Sequence, residues 1–147
     1  MKDQSTKATP EQLLYANILE KGMFFGLGSM IVFFILYVFG IMKPAVPLNN
    51  VAGMWGQPVG KYLAAVNANF LHQPHVVTGW GWARFLGSSD FLNFLPIAVL
   101  SGVTILCYIC IVPGLLKRGD KAMGIIAIAE AVILTLAASG LLATGGH

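Results

Sequence analysis

One carboxylate, Glu130, stands well inside an apolar stretch of this 147-residue chain. Bilayer hydrocarbon solvates charge poorly, so an ionisable group there requires a partner, a water pocket or a function. The stretch is the second arm of a hairpin running from Phe91 to Leu142 about the basic turn Leu116-Lys117-Arg118-Gly119-Asp120-Lys121. Counted outward from Gly119, Tyr108 lies about eleven residues before and Glu130 about eleven after, which puts them at similar depth in an antiparallel helix pair. Ser101, Thr104 and Tyr108 share one helical stripe. A hydrogen bond from Tyr108 or Thr104 to the Glu130 carboxyl is therefore the expected intramembrane contact. Two other roles stay open: contact with another subunit or a quinone, and proton or ion translocation, although a lone acid lacks the relay that conduction needs.

Other chemistry-bearing residues give partial patterns. His72 and His75 are two imidazoles without a neighbouring cysteine or carboxylate, half of a metal site. Their spacing does not suit opposite axial positions on one haem, so they are read as interfacial or partner-contact residues. His147 adds little. Cys107 and Cys110 have the Cys-x-x-Cys spacing of redox and metal motifs, but inside an apolar arm they are read as small core residues. There is no phosphate-binding glycine loop, no serine, histidine and acid combination and no nucleic-acid module. No catalytic residue, cofactor ligand or metal ligand is assigned, with haem or quinone contact kept as an alternative.

The composition explains why the elements that hold these residues must be membrane helices. Hydrophobic residues make up 56% and charged residues 10% of the chain, and the mean hydropathy is +0.75, outside the range of ordinary soluble domains. The expected fold is an all-α membrane protein forming a single domain, with spans over residues 22–42, 92–116 and 122–143, each long enough at about 1.5 Å per residue to cross a bilayer core. Ahead of the first span, Thr9-Pro10-Glu11-Gln12 is a helix start: Thr9 caps, Pro10 takes the first helical position and Gln12 closes a capping box. The helix it opens carries Leu13, Leu14, Ile18 and Leu19 on one stripe, with Glu11, Glu20 and Lys21 among the polar positions. It is predicted to lie on the membrane surface or a partner before the chain enters the bilayer.

Small residues mark two packing seams, Gly22, Gly26 and Ser29 on the first span and Gly124, Ala127, Ala131 and Ala138 beside Glu130 on the third. Lys43-Pro44 and Pro47 are expected to end the first span. The loop over residues 43–90 is the only substantial segment outside the membrane, with an amphipathic helix after Pro58 at Val59, Tyr62, Leu63, Val66 and Phe70. Trp80, Trp82 and Phe85 read as an interfacial aromatic belt, and Ser88-Ser89-Asp90 as a cap for the next span. Lys2, Lys7 and Lys21 before the first span, with Lys117, Arg118 and Lys121 in the turn, place the amino terminus and turn in the cytoplasm. The loop and Gly145-Gly146-His147 then face the periplasm or exterior of a bacterial inner membrane.

The hairpin, LNFLPIAVLSGVTILCYIC, then KRGDK, then an apolar span ending ASGLL, resembles a small bacterial family of three-span membrane proteins often encoded near sulfite-exporter-like transporters. The likeness covers about the final third of the chain and implies association with a transporter. The function expected is a non-catalytic accessory subunit of a larger respiratory or transport complex, with other integral membrane subunits and the lipid bilayer as partners and no nucleic acid. The alternatives are a self-associating transporter or ion-conducting unit using Glu130, and an electron-transfer subunit in contact with quinone or haem.

Overall fold

The computed structural model describes residues 7–142, and throughout them the only regular structure is helical. The chain runs α1 (Pro10–Val38), α2 (Leu48–Met54), α3 (Val59–Val66), α4 (Ser89–Leu92), α5 (Phe94–Lys117) and α6 (Lys121–Ala138). Three segments are long and apolar enough to cross a membrane: Pro10–Val38, Ser89–Lys117 and Lys121–Ala138.

The amino-terminal signals act as their chemistry dictates. The Thr9 hydroxyl accepts from the Gln12 amide at 3.3 Å while the Gln12 side chain accepts from the Thr9 amide at 2.9 Å, closing the capping box. From there, however, α1 continues unbroken for 29 residues. No separate amphipathic helix precedes a span beginning at Gly22. The reason is tertiary: α1 packs antiparallel along α5 from its first turn. Glu11 forms an ion pair with Arg118 and lies against Gly114, Cys107 Sγ meets the Tyr15 carbonyl at 3.7 Å, and Gly22 and Gly26 face Val103 and Leu100.

Helix ends differ from expectation in an instructive way. Gly40, at φ 65°, ends α1 through bonds from Ile41 N to Leu36 O and from Gly40 N to Tyr37 O. This paired pattern satisfies the last carbonyls and needs a left-handed residue that glycine supplies without steric cost. The helix thus stops before Lys43-Pro44 and Pro47, which do not terminate it. Gly119, at φ 79°, repeats the pattern with Asp120 N to Leu115 O and Gly119 N to Leu116 O. Asp120 then caps α6 by accepting from Met123 N, which makes the hairpin turn short. At its far end α6 stops at Ala138, while residue 143, the expected limit of that span, lies outside the described residues.

Helix α5 is the middle element, with α1 along one side and α6 along another. Among the described residues the largest fully buried side chains are Pro96, Cys107 and Ser89. Most large apolar side chains of α1, α5 and α6 face outward, as expected of helices solvated by lipid.

Candidate functional site

Tyr15, Tyr108 and Cys107 meet where α1 packs against α5. Tyr15 and Tyr108 pack edge to face, ring centroids 5.7 Å apart at 68°, beside the buried Cys107. Tyr15 lies within electrostatic reach of Glu130. Among the described residues no hydrogen bond joins Glu130 to Tyr108 or Thr104, and its side chain is exposed. Rotation about α6 accounts for this. Gly124 and Ala127 are the buried positions of α6, and Glu130 is turned about 60° from Ala127 and about 120° from Gly124. Tyr108 meanwhile turns towards α1, where Tyr15 meets its ring; Thr104 is half-buried.

The pairing of α1 with α5 places two further charges within the length of α5. Gly22 faces Val103, midway along Ser89–Lys117. Glu20 and Lys21 immediately precede Gly22 and are exposed, turned about 160° and about 100° away from its direction. Gly124 packs on Leu116, and Glu130 lies six residues, or about 9 Å, further along α6. Glu130 is therefore level with about residue 110 of α5, whereas Lys21 and Glu20 are level with about residues 104 and 105, roughly 8 Å away along the bundle; all three stand on outward faces, on two different helices. The sequence reading missed Glu20 and Lys21 because hydropathy put the membrane boundary at Gly22. The capping box at Thr9, a full three turns earlier, was the available signal that the helix begins well before that point.

The small residues occupy several settings. Gly22 and Gly26 lie in the α1–α5 contact, where an added Cβ would come within 2.6 Å of Val103 or Leu100 side-chain atoms. Ser29 bonds its hydroxyl to the Gly26 carbonyl of its own helix at 2.9 Å. Gly124 and Ala127 are buried against α5, Ala131 is half-buried, and Ala138 is exposed, its carbonyl accepting from Trp80 Nε1.

The opposite end of the bundle is organised by Ser89 and Asp90. The Asp90 carboxylate accepts from Ala45 N and Val46 N, each at 3.0 Å, and from Phe91 N; the Ser89 hydroxyl donates to Met42 O at 3.0 Å. Ser88 occupies the cap position without a side-chain cap bond. The Ser-Ser-Asp run thus fastens the chain after α1 to the start of α5 instead of capping a helix with its first serine. Trp80 stacks on Trp82 at 5.7 Å, Trp82 meets Phe94 at 5.9 Å, and Phe85 meets Phe91 at 5.2 Å, so the three expected interface aromatics form one cluster with the foot of α5.

Beneath this clamp α1, α3 and α5 line a half-open cavity of about 640 Å³, within the range of small-molecule sites. Its wall is apolar except for Tyr37, Tyr62, Asp90 and Asn93. Asn93 Nδ2 donates to Ser89 O at 3.0 Å, whereas its Oδ1 is buried without a partner. Of these four, Tyr62 carried a sequence signal through the helical spacing after Pro58 and Asp90 through the Ser88-Ser89-Asp90 run; Tyr37 and Asn93 carried none. His72 and His75 lie outside this wall and are exposed. His72 takes φ 50° where a short π-helical turn, Asn67–Leu71, ends. Among the described residues no three His, Cys, Asp or Glu side chains gather as a metal site, and His147 lies outside those residues.

No family model matches the chain, and no solved structure matches it. A protein of Archaeoglobus fulgidus described as uncharacterised is 38% identical over 143 residues, spanning 97% of this chain and 96% of that protein. Likeness of that degree across almost the whole of both chains is common ancestry, and the chain belongs to the family of that Archaeoglobus fulgidus protein.

Proposed function

We propose that this chain is a non-catalytic helical subunit of a larger membrane assembly, respiratory or transport, bound to other integral membrane subunits. The observation that supports it is that Glu20, Lys21 and Glu130 stand exposed on outward faces, all within the length of the apolar segment Ser89–Lys117 against which their helices pack. Charged side chains facing hydrocarbon cost several kcal/mol each, on the order of 2.5–3.5 by insertion measurements. Neighbouring helices bearing complementary groups remove that cost, and the opposite signs of Lys21 and Glu130 make a second copy one suitable neighbour. The likeness of the hairpin to three-span proteins encoded beside sulfite-exporter-like transporters favours a transport assembly.

In this reading the basic turn Lys117–Lys121 and the amino terminus face the cytoplasm, and the segment between α1 and α4 faces the other side of the cell membrane. The Archaeoglobus fulgidus relative is archaeal, so the proposal is framed for a cell membrane in general and not for the bacterial inner membrane alone. The test is native mass spectrometry of the chain released from its own membrane in mild detergent. A defined complex that is lost on replacing Lys21 and Glu130 with leucine is expected. A stable lone monomer, with lipid-exposed spin labels at positions 20, 21 and 130, would overturn the proposal.

A further inference from the structure

Glu20 and Lys21 are adjacent in sequence, but neighbours in a helix project about 100° apart and do not face each other. Among the described residues Glu11 pairs with Arg118, and neither Glu20 nor Lys21 has an ion-pair partner. The line that bisects the two charges runs along α1 through Leu13, Asn17, Phe24 and Gly28, each within about 30° of it. Leu13 and Phe24 are 60% and 62% exposed, and Asn17 and Gly28 are exposed as well. A Cβ added at Gly28 would meet nothing within 4 Å. Gly22 and Gly26, which face α5, point about 150° and about 170° away from this line. The stripe therefore lies on the side of α1 opposite α5, about 22 Å long from Leu13 to Gly28, with two charges and an amide near its middle.

The arrangement is complementary to itself. Copies of one chain enter a membrane the same way up, so a two-fold axis relating two of them runs along the membrane normal, and equal residues meet at equal depth. With the bisecting line as the line of contact, Glu20 lies about 50° to one side of it and Lys21 about 50° to the other. Rotation by half a turn about that axis brings the partner's Lys21 beside Glu20 and the partner's Glu20 beside Lys21, with levels only about 1.5 Å apart. Asn17 falls near the contact line itself. Its amide carries both donor and acceptor, so two copies can bond to each other across the axis, and a seam amide of this kind fixes the alignment of paired helices. Both charges lie midway along the apolar segment Ser89–Lys117, where the alternative to a partner is hydrocarbon, so pairing sacrifices little hydration.

We propose that the outward stripe of α1 binds a second copy of this chain, the two helices packed in parallel along Leu13, Asn17, Phe24 and Gly28 and joined by two reciprocal Glu20–Lys21 ion pairs. The proposal rests on the reading that protein covers these charges, and it names one covering partner. Charge exchange in the full chain tests it, with native mass spectrometry in mild detergent counting the copies. Glu20→Lys sets lysine against lysine and Lys21→Glu sets glutamate against glutamate. Each alone weakens self-pairing by about tenfold or more, the worth of two interhelical polar contacts. Expressed together, the two variants form a mixed pair in which every facing charge is opposite, and a chain carrying both exchanges recovers self-pairing. Should a variant fail to insert, oxidative cross-linking in the native membrane decides with the charges intact. Phe24→Cys then links two copies, while Met23→Cys, also exposed but about 100° round the helix, stays at the baseline set by the native Cys107 and Cys110. A larger complex holding a single copy, equal cross-linking at positions 23 and 24, or no mixed pair from inserted variants overturns the homodimer and leaves the assembly reading standing. A lone monomer overturns both.

Discussion

Gly22 shows how much a single hydrogen in place of a methyl group decides. Its α-carbon approaches Val103 so closely that a Cβ would stand 2.5 Å from a valine methyl, and valine has little rotamer freedom with which to retreat. Gly22→Ala is expected to destabilise the α1–α5 pair by about 1–3 kcal/mol, measured by unfolding in mixed micelles. Val103→Ala in the same chain should recover part of that loss, a positive coupling that a double-mutant cycle reads directly. Gly28→Ala, which meets open space, should be neutral or mildly stabilising, because alanine favours the helix. The small-residue spacing of this seam was legible in the sequence because it follows from helical periodicity alone. The surroundings of Glu130 were not. Depth follows from counting residues, but the direction of a side chain depends on how each helix is rotated against its neighbour.

At the scale of elements, the sequence marked the three long apolar segments and missed their ends. Hydropathy locates where a helix is comfortable in lipid; it does not locate where tertiary contact begins. Glu11, read from the sequence as a polar surface residue, is buried against Gly114 and paired with Arg118, a contact 107 residues distant in the chain. Asp90 is the equivalent fastening at the other end. Asp90→Ala should free the Ala45 and Val46 amides, and their hydrogen exchange is expected to quicken by at least about tenfold, consistent with the loss of charge-assisted bonds. Exchange within α6 should be unaffected. Trp80→Phe tests a separate link: it removes the bond to the Ala138 carbonyl and should loosen only the last turn of α6 and the Trp82 stack. Neither link was visible in the sequence, since a serine-aspartate pair before an apolar run has the same composition whether it caps a helix or ties down a distant strand of chain.

For the molecule as a whole, α1 and α6 lie at different levels along α5. The contact of Gly22 with Val103 and that of Gly124 with Leu116 place the most apolar half of α1 opposite the first half of α5, and α6 opposite the second half. No slab about 30 Å thick covers all the apolar surface and also excludes Glu20, Lys21 and Glu130. Spin labels at positions 21 and 130 should accordingly be shielded from dissolved oxygen in the native membrane and accessible in detergent once neighbours are stripped away. Equal accessibility in both settings would show that no protein covers these positions.

That stagger has a consequence for how the chain enters the bilayer during synthesis. The first hydrophobic segment reaches the insertion machinery before α5 exists, and a lysine or acid near the centre of an inserting helix is disfavoured by about 2.5–3.5 kcal/mol. Alone, it should settle with residues 22–42 in hydrocarbon and Lys21 at the water boundary. Only when α5 arrives can Glu11 find Arg118 and draw the helix inward. Glycosylation mapping of a fragment ending after residue 45 should place the boundary near Gly22. The same mapping on the full chain should move it roughly three turns towards Pro10, so that the final membrane position of the first helix is chosen by α5 and by Arg118 at its end, made long after it.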